Sequence, residues 1–445
     1  MKLLMQMCKI SVFRYRFLYT IFLLALYRLG TFITIPGIDR YATHLGEWGR
    51  LQRKGLFSLF SFVSGGAIEN ASIFALGIMP YITSSIIMTM MGIIIPKIER
   101  IQKEGEKGKV QINFYVRCIT ILVSIIQAVM MAQYFKTRGM IHPEWGIYYG
   151  EYRFFIITVI CLVAGTMMLL WLGDQISKNG IGNGVSVVIF SGIISRLPEA
   201  ISKTITGLIS NLYTITEIGL IMLISLIVLA GVILMEEGQR RIPLNYAKQT
   251  MLKNSLGEAK LSTLPLKINM AGVIPPIFAS TILMIPMTLS SFFENNIITD
   301  LQRVITPGTW QYETILSTFI IFFAYFYTAV QFNPVDVADR LRKVGSYIPG
   351  IRPGKATSDY IDYVLIRLTF IGSLYLCAIC IMPLIISKLA ENQIPFYIGG
   401  TGMLIVVSVA LEIIRQVKNF SIRENYQVSS KKYIRARQDE RLSRH

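Results

Sequence analysis

Long apolar stretches separated by polar loops recur along the whole chain. A helix needs about 20 mostly apolar residues to cross a hydrocarbon core of about 30 Å. Ten stretches are of roughly that length, although the fifth is short and carries Arg196 near its end. These predicted spans, numbered one to ten, are 17–36, 72–95, 113–135, 154–173, 184–198, 216–235, 269–292, 313–332, 363–386 and 397–414. The pattern predicts an all-α polytopic membrane protein.

One apolar run does not fit this pattern. The sequence LFSLFSFVSGGAIEN, residues 56–70, begins with eight residues that would reach only about 12 Å as a helix, and two glycines follow. A half-helix of this kind lies either on the membrane surface or inside a cavity at membrane depth. The residues alone favour the surface. Gly65 and Gly66 provide a hinge at its end in either case.

Composition and charge support a membrane protein and give its orientation. Of 445 residues, 53% are hydrophobic and 16% are charged, whereas soluble domains carry about 25% charged residues. The N-terminus, the even-numbered loops and the C-terminal tail hold 31 of the 44 Lys and Arg residues. Because cytoplasmic loops collect positive charge, both termini are predicted to be cytoplasmic. This bias accounts for most of the net charge of +18 without invoking nucleic acid.

Two cytoplasmic loops, 236–268 and 333–360, are longer than a simple turn requires. The first contains two extended runs around a polar stretch, which predicts a hairpin with basic edges. The second predicts a short amphipathic helix over Asp336–Val344, followed by two Pro-Gly turns that flank Arg352. These loops are either ordinary positive-inside loops or a docking surface for a cytosolic partner.

The sequence offers little for catalysis or metal binding. Cys377 and Cys380 form a CxxC inside span nine, but no second pair accompanies it, so small buried filler is the better interpretation. There is no HExxH or GxSxG motif. The sequence therefore predicts no enzyme, no metal site and no cofactor.

A secondary transporter is the alternative from another functional class, because transporters also use broken helices. Such a protein would be expected to place carboxylates near the membrane midplane, yet Asp174 and Glu412 lie at span ends. Arg28 lies within span one, where a charge indicates a function, but the sequence does not identify its partner.

Six segments resemble the SecY family, whose members form the large subunit of the Sec protein-conducting channel. The resemblance extends over nearly the whole chain, in order. The segments are SGGAIENASIFALGIMPYITSSII, WLGDQISKNGIGNGVSVVIFSGI, GQRRIPLNYAK, LPLKINMAGVIPPIFAS, FNPVDVADRLRKVGSYIPGIRPGKAT and PFYIGGTGMLIVV.

The resemblance implies ten helices in two inverted halves, residues 1–205 and 206–445, around an hourglass pore. Spans two, three, seven and eight would form a lateral gate. The half-helix within 56–70 would be the plug that blocks the resting pore. Its implied residues are Phe57, Leu59, Phe60, Phe62, Val63, Gly65 and Gly66.

The resemblance also implies three groups of functional residues. The pore ring would be Ile78, Ile82, Val185, Ile189, Ile277 and Ile405, and the i, i+4 spacing of its first two pairs places each pair on one helix face. The polar cluster of the lateral gate would be Thr83, Gln127 and Asn269. The docking residues for a motor or ribosome would be Arg240, Arg241, Lys248, Arg340, Arg342, Lys343, Arg352 and Lys355.

The function implied is passage of unfolded secretory polypeptides across a membrane and lateral release of transmembrane segments into it. The implied partners are the small subunits SecE and SecG, the motor ATPase SecA, the ribosome with its RNA, signal peptides, nascent chains and membrane lipids. No cofactor is implied. The implied location is the bacterial cytoplasmic (inner) membrane.

Overall fold

The computed structural model describes residues 11–39, 64–137, 139–210, 214–246, 262–290, 309–389 and 400–419. Helices dominate these ranges. In chain order they are α1 (Ser11–Gly30), α2 (Met79–Ile94), α3 (Pro96–Lys103), α4 (Glu106–Thr137), α5 (Pro143–Asn179), α6 (Gly184–Ile194), α7 (Leu197–Ile209), α8 (Ile215–Glu237), α9 (Ile274–Ser290), α10 (Trp310–Gln331), α11 (Pro334–Lys343), α12 (Lys355–Leu389) and α13 (Gly400–Asn419).

All ten predicted spans coincide with helices. Within the described residues, seven helical segments are long and apolar enough to cross a membrane, and an eighth qualifies if α2 and α3 count as one bent span. That pair turns through 111° at the break before Pro96. The two remaining predicted spans coincide with α1 and with the shorter α9.

The predicted bounds of span two are wrong at its start. The helix begins at Met79 instead of residue 72, and the residues from Ser64 to Ile78 form turns. Three glycines in this stretch have positive φ, and the bridge between Thr34 and Ser72 adds extended pairing. Turns of this kind interrupt helical hydrogen bonding, so a hydropathy pattern alone places the boundary too early.

The helices before residue 210 contribute to two apolar clusters, one shared by α1, α5 and α6 and the other by α4 and α5. α1 contacts α5 and α6, and α2 packs on α4, which in turn packs on α5. Gly184 lies so close to Gly173 that a Cβ atom there would be 1.8 Å from the carbonyl oxygen of Gly173. Small residues allow this close approach between α5 and α6.

Another apolar cluster joins the helices that follow. It contains buried residues from α9, α10, α12 and α13, and Ile86 of α2 and Val232 of α8 also belong to it. Phe278 and Phe323 stack in its centre with ring centroids 4.7 Å apart. α2 therefore packs against both groups of helices.

The two long loops form one unit. β1 (Gln239–Tyr246) pairs antiparallel with β2 (Ser262–Lys267), as the hairpin prediction requires, and it also pairs antiparallel with β3 (Ser346–Tyr347). The resulting sheet has the order β2-β1-β3. We call β1, β2, β3, α11 and the beginning of α12 the loop unit.

The loop unit has its own apolar core. Ile242, Leu266, Ile348 and Ile361 are each at most 3% exposed and pack together. The predicted amphipathic helix is confirmed as α11, which Asn333 caps by accepting a hydrogen bond from Val335 N–H. A packed apolar core therefore supports the surface of the loop unit.

Candidate functional site

The six residues predicted for the pore ring lie in one apolar cluster. Three of them, Ile78, Ile189 and Ile405, are 5–7% exposed, and the other three pack against the same cluster. Five of them lie on α2, α6, α9 and α13, which are distant in sequence, and Ile78 is the residue immediately before α2. Branched apolar side chains offer no hydrogen-bonding groups, and constrictions of a pore by apolar side chains can exclude water and ions.

The predicted plug is only partly within the described residues. Phe57, Leu59, Phe60, Phe62 and Val63 lie outside them. Gly65 and Gly66 lie inside and have φ values of +64° and +90°, a backbone conformation that favours glycine. The sequence that follows forms turns, and Ala67 is fully buried in the same cluster as the six ring residues.

The residues Ser64–Ala71, which we call the root segment, are tied to the helices around them. Tyr27 of α1 donates its hydroxyl hydrogen to Ser64 O at 3.2 Å. The Asn70 side chain donates to Thr31 O at 3.2 Å. Arg196, between α6 and α7, forms an ion pair of 2.6 Å with Glu69.

Arg28 also contacts the root segment, which supplies the partner that the sequence did not identify. Its Nη1 donates to Gly65 O at 2.8 Å and to Ser195 Oγ at 3.2 Å, and its guanidinium carbon lies 5.0 Å from the centre of the Phe32 ring. Sequence reasoning missed this contact because the acceptor is a main-chain carbonyl, which leaves no residue-type signal.

The three polar residues predicted for the lateral gate have different partners in the structure. Thr83 donates to Met79 O within its own helix. Asn269 donates to Glu236 Oε1 at 2.8 Å and to Gly272 O at 3.1 Å, and Gln127 is half-buried. Among the described residues, no hydrogen bond joins Thr83, Gln127 and Asn269 to one another. A direct latch between them stays a prediction.

We expect Asn269→Leu to destabilise the protein, because it leaves the buried Glu236 carboxyl without its side-chain donor. Such a loss costs about 1–3 kcal/mol. The measurement is the thermal unfolding midpoint of the purified membrane protein in detergent. Thr83→Val is the matched control, because it removes only a bond within α2. An unchanged midpoint for Asn269→Leu would show that the bond to Glu236 is not structural.

The predicted docking residues lie on the loop unit and are exposed where they are described. Lys248 lies outside the described residues. Arg352 stands between Gly350 and Gly354, whose φ values are +82° and +107°, and its carbonyl accepts a hydrogen bond from Thr357 Oγ1 at 2.9 Å. The hydrogen bond from Thr357 therefore ties the backbone of the tip that carries Arg352. The exposed basic residues are Arg240, Arg241, Arg340, Arg342, Lys343, Arg352 and Lys355.

Within the described residues, no three His, Cys, Asp or Glu side chains form a group that could hold a metal ion. Cys377 and Cys380 are buried in the apolar cluster around α10 and α12. The Cys377 thiol lies 3.5 Å from Ser317 O. Both cysteines pack as small apolar side chains.

Comparison with known proteins places these features in a family. The family model described as SecY matches residues 72–414. Protein translocase subunit SecY of Escherichia coli K12 is 41% identical over 421 residues, which covers 94% of both chains. The protein of the same name from Pseudomonas aeruginosa is 40% identical and covers 94% of this chain and 93% of its own length.

Solved structures agree at the level of the fold. One described as "The structure of a protein conducting channel" has a TM-score of 0.62 at 20% identity and covers 93% of both chains. One described as "Sec61 in the Canine ribosome-channel complex from the endoplasmic reticulum" has a TM-score of 0.59 at 18% identity, with the same coverage. The chain is a multi-pass, all-α membrane protein, and it belongs to the SecY family.

Proposed function

We propose that this chain is the pore subunit of a protein translocase. It would conduct unfolded secretory polypeptides across a membrane and release transmembrane segments laterally. The observation that carries the proposal is the convergence in one cluster of six branched apolar residues from four separate parts of the chain. Relatives that are 40–41% identical are named as protein translocase subunits, which supports the same function. The SecY family consists of translocation channels rather than enzymes or secondary transporters.

In this proposal the pore ring seals the resting channel. Ile78, Ile82, Val185, Ile189, Ile277 and Ile405 close on one another and part around a passing chain. The plug at residues 56–70 covers the ring from the external side. The lateral gate opens between the halves 1–205 and 206–445, near α2, α4, α9 and α10.

The loop unit is the proposed docking surface. Its exposed basic residues suit acidic groups of a motor protein and phosphates of ribosomal RNA. The proposed partners are SecE and SecG in the membrane, SecA and the ribosome at the loop unit, and signal peptides, nascent chains and lipids at the gate. The ribosome is supported by a structural relative described in a ribosome-channel complex. The proposed location is the bacterial inner membrane, with both termini cytoplasmic.

A photo-cross-linking amino acid at Ile82 tests the proposal. With a precursor arrested during translocation, we expect an adduct between Ile82 and the precursor, because Ile82 packs against the ring cluster. The matched control is Leu226 of α8, which is 65% exposed and remote from the ring. A translocating precursor that forms no adduct at Ile82, or equal adducts at both sites, would refute this pore. A secondary transporter would accumulate solute and form neither adduct.

A further inference from the structure

The root segment connects the proposed plug helix to the turns before α2, so its attachment bears on where that helix rests. It is held from two sides, by Tyr27, Arg28 and Thr31 at the end of α1 and by Ser195 and Arg196 at the break between α6 and α7. Two of these contacts involve a charged side chain of the surrounding helices. The contact of Arg28 is the nearer of the two to the proposed plug helix, because its acceptor is the carbonyl of Gly65.

The surroundings of Arg28 show that the hydrogen bond to Gly65 O also helps to solvate the guanidinium charge. Within the described chain, its guanidinium contacts two neutral oxygens and one aromatic ring, and no carboxylate is among its contacts. A charge at membrane depth is costly unless polar groups solvate it. If the root segment moved away, Arg28 would lose the carbonyl that makes its shorter hydrogen bond.

The acceptor is also held rigidly. A Cβ atom on Gly65 would be 2.8 Å from Gly192 Cα, so the two backbones are in direct contact. Ser195 accepts a hydrogen bond from Arg28 and donates one to Gly192 O at 2.7 Å. Arg28, Ser195, Gly192 and Gly65 thus form a closed set of contacts between α1, α6 and the root segment.

We propose that Arg28 is a positioning residue for the plug, which holds Gly65 against α6 and thereby keeps the channel closed at rest. This inference rests on the proposed function and on the assignment of residues 56–70 as the plug. Displacement of the root segment breaks a charged hydrogen bond, so the contact favours the closed state.

The test compares resting ion conductance in planar bilayers at equal amounts of the purified channel with its partner subunits. Arg28→Met keeps an unbranched apolar side chain but removes every donor, and we expect about a tenfold rise, the lower end of what a charged hydrogen bond contributes. Arg28→Lys retains the charge and is expected to lie between Arg28→Met and wild type. Arg14→Met removes the same charge from an exposed position on α1 and is expected to match wild type.

A channel that lacks Phe57–Ser64 separates plug positioning from simple helix packing. In that background, Arg28→Met should add no further conductance, because there is no plug to misplace. An equal rise in both backgrounds would make Arg28 only a packing residue and would overturn the inference. If the Arg28→Met channel does not assemble, Arg28→Lys is compared in the same two backgrounds instead.

Different experimental results would overturn the plug assignment and the positioning role of Arg28. If the deletion alone leaves conductance unchanged, the plug assignment is wrong and the inference falls with it. If the deletion raises conductance but neither substitution at Arg28 does, only the positioning role of Arg28 is overturned.

Discussion

Deletion of Phe57–Ser64 is expected to raise the resting ion conductance of the purified channel by roughly tenfold or more, equal to about 1.4 kcal/mol in the closed–open equilibrium. The proposed plug is removed, whereas the pore ring and its supporting helices remain. Because Gly65 and the rest of the root segment stay attached to α1 and α6, the bundle should still fold. We also expect precursors with weak signal sequences to be exported more efficiently.

Conductance in planar bilayers and export of weak-signal precursors are the two measurements. Deletion of eight residues from the C-terminal tail beyond residue 419 is the control, because it shortens the chain equally without touching the proposed plug. A plug-deleted channel that folds, assembles and conducts like the wild type would contradict the assignment of residues 56–70.

Arg352→Glu is expected to abolish motor-driven translocation while leaving insertion of the channel intact. The side chain is exposed on a tip whose backbone is restricted by Pro349, Pro353 and the hydrogen bond from Thr357 to the Arg352 carbonyl, so little backbone entropy is lost when a partner binds. Its guanidinium presents a fork of donors that grips a carboxylate or phosphate with two bonds. Arg352→Lys keeps the charge but loses the fork. A charged hydrogen bond contributes about 1.5–3 kcal/mol. We therefore expect the Arg352→Lys channel to bind the motor about ten- to a hundredfold more weakly than the wild type does.

SecA-dependent translocation of a purified precursor into vesicles, at equal channel amounts, measures this effect. Lys97→Glu is the matched control, since it reverses an exposed charge on α3, outside the loop unit. If Arg352→Glu translocates the precursor at the wild-type rate, Arg352 contributes only to the orientation of the chain in the membrane.

Hydropathy and turn chemistry predicted most of the fold, because both are local properties. The ten apolar stretches, the β1–β2 hairpin and α11 are each encoded within a short segment. The start of α2 was placed wrongly because residues 72–78 are apolar enough to resemble the beginning of a span, and only their backbone turns distinguish them.

The contacts between distant segments were less accessible from sequence. Resemblance to a family suggested the six ring residues, and the structure brings them into one cluster. It also suggested Asn269 as a member of a polar gate cluster, but it did not indicate the hydrogen bond from Asn269 to Glu236 that the structure shows. An amide bonds to whichever partner tertiary packing supplies, and residue type does not specify that partner. The same reason hid the contact between Arg28 and the Gly65 carbonyl.

The pairing of β1 with β3 has a consequence for biogenesis. β1 leaves the ribosome before α9 and α10, and β3 follows both of them. The sheet therefore cannot close until those two helices have been synthesised and have returned the chain to the same side of the membrane. Non-local strand pairing of this kind forms late. A nascent or truncated chain that ends before Ser346 lacks β3 and Arg352. Under the proposed docking role, recruitment of a partner through Arg352 would therefore await synthesis of α9 and α10.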